Sequence, residues 1–194
     1  MGVLYGVGIL ACTYLQPLGR QIALIIVLPL LILYTPLFKR LPFIGNMVVG
    51  GILGLVFLFT EGALNGNVDQ MWIPFFLASA LSTIRELCKD AADIKGDSIG
   101  SLQTFPRKFG LISTLWLLRI LSVTLCFFAI TPYTSGYYGI VYLILLILGI
   151  EIPLLYSMFI ILSEKSDSAE YIKVAKILKG VTMVGMLVIL SSGY

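Results

Sequence analysis

YYGIVYLILLILGIEIPLLYSMFIIL, residues 137–162, carries a single charge, Glu151, over a run long enough to cross a bilayer. A hydrocarbon core of about 30 Å takes roughly 20 apolar residues in helical form. Backbone N–H and C=O groups meet no water there, so such a run is read as a helix. Working outward from this span, Tyr137–Leu162, five more stretches meet the requirement: Gln21–Phe38, Phe43–Leu64, Met71–Leu87, Phe109–Thr131 and Tyr171–Leu190. Met71–Leu87 is the poorest in apolar residues and continues helically into polar sequence. A further run, Val3–Leu15, is too short to span. No Lys or Arg precedes it, so it is not a signal peptide, and Gly6 stands where a myristoylation motif has Ser or Thr. The expectation is an all-α, multi-pass transmembrane bundle of about seven helices, with the first cut short at the start of the chain.

Composition agrees. Of the 194 residues 59% are hydrophobic and 12% charged, against roughly 45–50% and about 25% in soluble domains. The mean hydropathy is +1.02. A net charge of +3 is too small for a nucleic-acid binder. The absence of histidine removes His-based catalysis and the commonest zinc ligand. Cys12, Cys88 and Cys126 are too scattered for a disulfide framework or a metal motif.

The positive charges set the orientation. One side collects Lys39 and Arg40, then Arg85, Lys89, Lys95, Arg107 and Lys108, then Lys165, Lys173 and Lys176. The other side has Arg20, Asn65-Gly66-Asn67 and Thr134-Ser135-Gly136. The first side is expected to be cytoplasmic, in the cell membrane.

The longest polar stretch lies on that side. In Arg85-Glu86-Leu87-Cys88-Lys89-Asp90-Ala91-Ala92-Asp93-Ile94-Lys95-Gly96-Asp97, a helix at about 100° per residue puts Glu86, Asp90, Asp93 and Asp97 within about 60° of one another. Such like charges repel, and the C-terminal end of a helix is already partly negative. A cation relieves both. Oxygen donors without His or Cys select a hard metal, magnesium before zinc, and magnesium bridges readily to phosphate. The alternative is a solvated acidic loop balanced by Lys89 and Lys95. Arg107 and Lys108 suit anionic membrane lipids. Two charges deep in spans, Arg119 and Glu151, are expected at similar depth and paired with each other.

These residues resemble a known family. Arg85-Glu86, Lys89-Asp90, Asp93, Gly96-Asp97, Gly100, Thr104, Pro106 and Gly110 are similar to the second aspartate motif of the UbiA superfamily of intramembrane prenyltransferases. Tyr34-Thr35-Pro36, Lys39-Arg40 and Gly45-Asn46 are similar to the stretch between that family's fourth and fifth helices. The aspartate segment looks most like the digeranylgeranylglyceryl phosphate synthase branch.

The resemblance implies a nine-helix fold around a cavity open sideways to lipid, with an apolar tunnel for the prenyl chain. It implies a transferase moving an isoprenyl group from a prenyl diphosphate to a hydrophobic acceptor, aromatic or glycerol-phosphate lipid, in lipid or quinone biosynthesis. Asp90, Asp93 and Asp97 are the implied catalytic magnesium ligands. Lys39, Arg40, Arg85 and Lys89 are the implied diphosphate contacts, and Tyr34 and Asn46 the substrate cavity. The family's first motif, of Asn-Asp-x-x-Asp type, has no counterpart here. Residues 1–194 are thus expected to form one prenyltransferase-like domain without the first two helices. A non-catalytic relative and a secondary transporter using Arg119 and Glu151 as a relay are the alternatives.

Overall fold

A computed structural model describes residues 2–94 and 103–190. Those residues form seven helices and no strand. They are α1 (Gly2–Cys12), α2 (Pro17–Tyr34), α3 (Ile44–Leu64), α4 (Trp72–Ala92), α5 (Phe105–Thr134), α6 (Ile140–Ile161) and α7 (Ser168–Leu190). A short 3-10 turn, Phe38–Arg40, joins α2 to α3. Successive helices run up and down, so the Lys- and Arg-rich connections gather at one end, called here the charged end.

The helix starts have local causes. Pro17 opens α2, where its missing N–H is not needed. Asp167 opens α7, its Oδ1 accepting from the N–H groups of Ala169 (2.9 Å) and Glu170 (3.2 Å). That cap starts α7 ahead of the expected Tyr171. α5 also begins earlier than expected, at Phe105, but breaks at Gly110, whose φ of 84° is open to glycine.

α4 is the hub, packed against α3, α5 and α7. Its Leu81, Ile84, Leu87, Cys88 and Ala91 meet Leu115 and Leu118 of α5, Met158 of α6 and Val174 of α7 in one core. On α3 the buried residues include Asn46, Gly50, Gly54 and Leu58, a row at four-residue spacing. A Cβ on Gly50 would stand 2.6 Å from the Ser79 carbonyl oxygen, and one on Gly54 2.6 Å from that of Phe75. Small residues here let the two backbones touch, as in other membrane helix pairs.

Large apolar side chains such as Ile120, Phe127, Leu148 and Met183 point outward. Outward apolar belts of this extent belong to a lipid-facing surface. α2, α3, α5 and α6 are long and apolar enough to cross a membrane. α4 and α7, also read as spans from sequence, reach 21 and 23 residues but carry charges towards the charged end.

Candidate functional site

At the charged end a pocket of about 60 Å³ opens between α2, α3 and α4. Tyr34 ends α2 and Lys39 lies on the 3-10 turn. Asn46 comes from the first turn of α3, Glu86 and Asp90 from α4, and Thr104 from just before α5. Four residues expected from sequence to share a site, Tyr34, Lys39, Asn46 and Asp90, therefore meet. The turn before α3 is strained: Phe43 has φ 66°, a region unfavourable to a residue with a Cβ. Its ring lies edge-on to Phe105, 6.2 Å between centroids, which ties the start of α5 to the pocket.

Asn46 does not cap its own helix. Its Nδ2 donates to Asp90 Oδ2 at 2.7 Å, across from α3 to α4. Next to Asp90, Glu86 is held from two sides, by Arg85 Nη1 at 3.0 Å and Lys89 Nζ at 2.7 Å. Arg85 and Lys89, expected to contact a diphosphate directly, are thus engaged with Glu86. Arg40 is exposed on the 3-10 turn beside the pocket.

Among the described residues, the helix that carries the carboxylate stripe stops before Asp93. α4 ends at Ala92, and Asp93 has left helical geometry (φ −106°, ψ 26°) and is exposed. Glu86 and Asp90 remain on the pocket wall, one turn apart. Asp97 and Lys95 lie outside the described residues. Among the described residues no three His, Cys, Asp or Glu side chains gather as a metal cluster. With Glu86 taken up by two cations, Asp90 and the Asn46 amide are the oxygen donors on this wall that would suit a hard cation such as magnesium, with phosphate and water completing its shell.

Deeper along α4 lies an apolar cavity of about 570 Å³ between α3, α4, α5, α6 and α7. Its far end is closed by Glu61, which the sequence reading passed over. Glu61 accepts from the N–H groups of Asp69 (3.1 Å), Gln70 (3.0 Å) and Met71 (3.0 Å), fixing the turn into α4. A carboxylate near the end of an apolar helix, a few residues before a turn into the next, was the available signal.

The expected Arg119–Glu151 pair does not form. Arg119 Nε donates to the Met158 carbonyl (3.1 Å) and Nη2 to that of Leu162 (3.2 Å), with Trp116 and Phe159 rings beside it. The last carbonyls of α6 have no helical partner, and Arg119 stands level with them. Glu151 lies about 10–15 Å further along α6, and its Oε1 is buried without a hydrogen-bond partner. A transporter relay through these two charges loses its basis.

Comparison with known proteins places this geometry. The chain is 30% identical to digeranylgeranylglyceryl phosphate synthase of Methanosphaera stadtmanae, over 90% of this chain and 62% of that protein. It is 34% identical to the synthase of the same name from Natronomonas pharaonis, over 60% and 42%. The chain spans roughly half the length of the curated relatives it matches. A solved structure of digeranylgeranylglyceryl phosphate synthase in membranes matches with a TM-score of 0.82 and 29% identity, over 98% of this chain and 67% of that one. The family model described as the UbiA prenyltransferase family matches residues 1–179. With its helices and this match over most of its length, the chain belongs to the UbiA prenyltransferase family.

Proposed function

We propose that this membrane protein is a prenyltransferase that binds an isoprenyl diphosphate at the Tyr34–Lys39–Asn46–Asp90 pocket and joins the prenyl group to a lipid-alcohol acceptor. The observation that carries this reading is the Asn46–Asp90 bond in a cation-flanked pocket above a large apolar cavity. The relatives are named for a product with geranylgeranyl chains on a glyceryl phosphate, which favours a lipid alcohol over an aromatic ring.

Each side chain has a task. Lys39 supplies positive charge to the diphosphate, and Arg85 and Lys89 stand at the rim, held by Glu86. Asn46 fixes the Asp90 carboxylate. Asp90, with Asp93 and Asp97 beyond it, would hold magnesium. When bound, magnesium neutralises charge developing on the leaving diphosphate, a Lewis-acid contribution. The bond from the prenyl carbon to diphosphate oxygen breaks, the same carbon bonds to the acceptor oxygen, and the acceptor's hydroxyl proton passes to the released diphosphate. The apolar cavity takes the tail, and dry walls keep water from the reacting carbon.

The charged end faces the cytoplasm of the cell membrane, by the positive-inside rule. Residues 1–194 act as one domain carrying the second aspartate motif.

The test is thermal stabilisation of the purified chain by geranylgeranyl diphosphate, with and without magnesium. Magnesium-dependent stabilisation that Asp90→Asn removes and Lys176→Gln leaves intact supports the reading. Stabilisation that ignores both magnesium and Asp90 overturns it and favours a non-catalytic relative.

A further inference from the structure

The polar groups around the apolar cavity are mostly satisfied by the chain itself. Thr182 Oγ1 donates to the Leu178 carbonyl at 2.8 Å, and Tyr142 Oη to that of Ala129 at 2.7 Å. Glu61 is occupied by backbone N–H groups. Glu151 is different. It lines the same cavity, is only 9% exposed, and its buried Oε1 has no hydrogen-bond partner among the described residues. The backbone brings it there through an irregularity: α6 widens to a π-helix over Ile147–Glu151 and returns to α-helix at Ile152. π-turns of this kind recur at functional sites.

A buried carboxyl without a partner costs free energy, and hydrocarbon laid over it returns none. The compensating group must arrive with whatever fills the cavity. We propose that Glu151 is the recognition point of a ligand site for a hydrocarbon-bodied alcohol, seated in this cavity with its hydroxyl on the Glu151 carboxyl. A protonated carboxyl and a hydroxyl each donate and accept, so they pair reciprocally. A mostly apolar cavity with one orienting polar group is the ordinary form of a small-molecule site.

The location separates this site from the polar pocket. Ser82, which lines the cavity, lies about 12 Å along α4 from Asp90. Reacting atoms must approach within about 3–3.5 Å. A hydroxyl held at Glu151 is therefore a binding group, not the oxygen that accepts a prenyl group at the Asp90 pocket. The site stands on the cavity and on Glu151; it does not depend on diphosphate chemistry, and the alcohol and the prenyl tail of the proposed donor are alternative occupants of the cavity.

The test uses the whole chain in detergent and a hydrophobic reagent, dicyclohexylcarbodiimide. The carboxyl oxygen adds to the carbodiimide carbon and its proton to a nitrogen, and the acyl group then migrates to nitrogen with nothing lost. Peptide mass spectrometry is expected to find the adduct on Glu151. Farnesol is expected to protect it at a concentration about tenfold lower than farnesene, which has the same carbon skeleton without the hydroxyl. As a second measurement, farnesol should raise the melting temperature more than farnesene does, and Glu151→Leu should erase that difference. Equal protection by both compounds, or no adduct at Glu151, overturns the proposal. So does an unchanged difference in Glu151→Leu. Asp90→Asn should leave all of this intact while removing diphosphate-dependent stabilisation, so the two readings fail separately.

Discussion

Asn46 and Asp90, 44 residues apart in the chain, are joined by a 2.7 Å hydrogen bond that ties the first turn of α3 to the last turn of α4. The bond uses the amide nitrogen of Asn46 and holds the Asp90 carboxylate against the start of α3. Asn46→Leu removes an uncharged donor to a carboxylate, an interaction of about 1.5–3 kcal/mol. Affinity for a prenyl diphosphate with magnesium should fall by about tenfold or more. Asn46→Asp should weaken magnesium-free binding further, because it adds a like charge beside Asp90. Titration calorimetry checks both, and unchanged affinity in Asn46→Leu would remove Asn46 from the site.

Much of this pocket was legible before the structure, but unevenly. Apolar run lengths give the helices, and the Lys and Arg distribution gives the charged end. That Tyr34, Lys39, Asn46 and Asp90 share a pocket came from resemblance, because no periodicity within one helix says which helices touch. The stripe from Glu86 to Asp97 rested on an ideal helix continuing past Ala92. At Asp93 the backbone turns away, and a helical wheel carries no signal for its own end.

The small-residue face of α3 sets the spacing on which that pocket depends. Gly50→Leu drives a side chain into the Ser79 carbonyl and the Thr83 side chain, and overpacking of this kind costs about 1–3 kcal/mol. Gly51, one residue on, has nothing within 4 Å of a Cβ position. Gly51→Leu should therefore be close to neutral. A denaturation midpoint lowered in Gly50→Leu but not in Gly51→Leu is the expected result. Equal effects would show that α3 and α4 are held by something other than close backbone approach.

Arg119 shows where residue counting along two helices stops being informative. Arg119 and Glu151 sit at similar distances from their helix ends on paper, yet the axial offset between α5 and α6 depends on the break at Gly110 and on the packing of the core. Arg119 lands on the last carbonyls of α6 and complements the negative end of that helix. Arg119→Met should destabilise the protein by about 1–3 kcal/mol through two orphaned carbonyl contacts. Arg119→Lys, which cannot reach both, should lie between. Glu151→Gln should not reproduce the loss, and if it did, an Arg119–Glu151 coupling would have to be restored.

Glu86 holds both cations at the pocket rim. Its carboxylate is shared by Arg85 and Lys89, at 3.0 and 2.7 Å, so the cluster of three carries a net charge of only about +1 towards the pocket. If Glu86 serves as their counter-ion, Glu86→Gln frees both side chains to meet phosphate oxygens. Diphosphate should then bind more tightly without magnesium, by a few-fold for a partly exposed pair. That binding should also weaken more steeply with added salt than in the wild type, since exposed charges are screened within about 10 Å at 0.1 M. A metal ligand would behave in the opposite way. Loss of magnesium-dependent binding in Glu86→Gln, with magnesium-free binding unchanged, would move Glu86 from the cation clamp to the metal site beside Asp90. The two carboxylates lie one turn apart on the same wall, so salt and magnesium titrations of this single variant decide between the two roles.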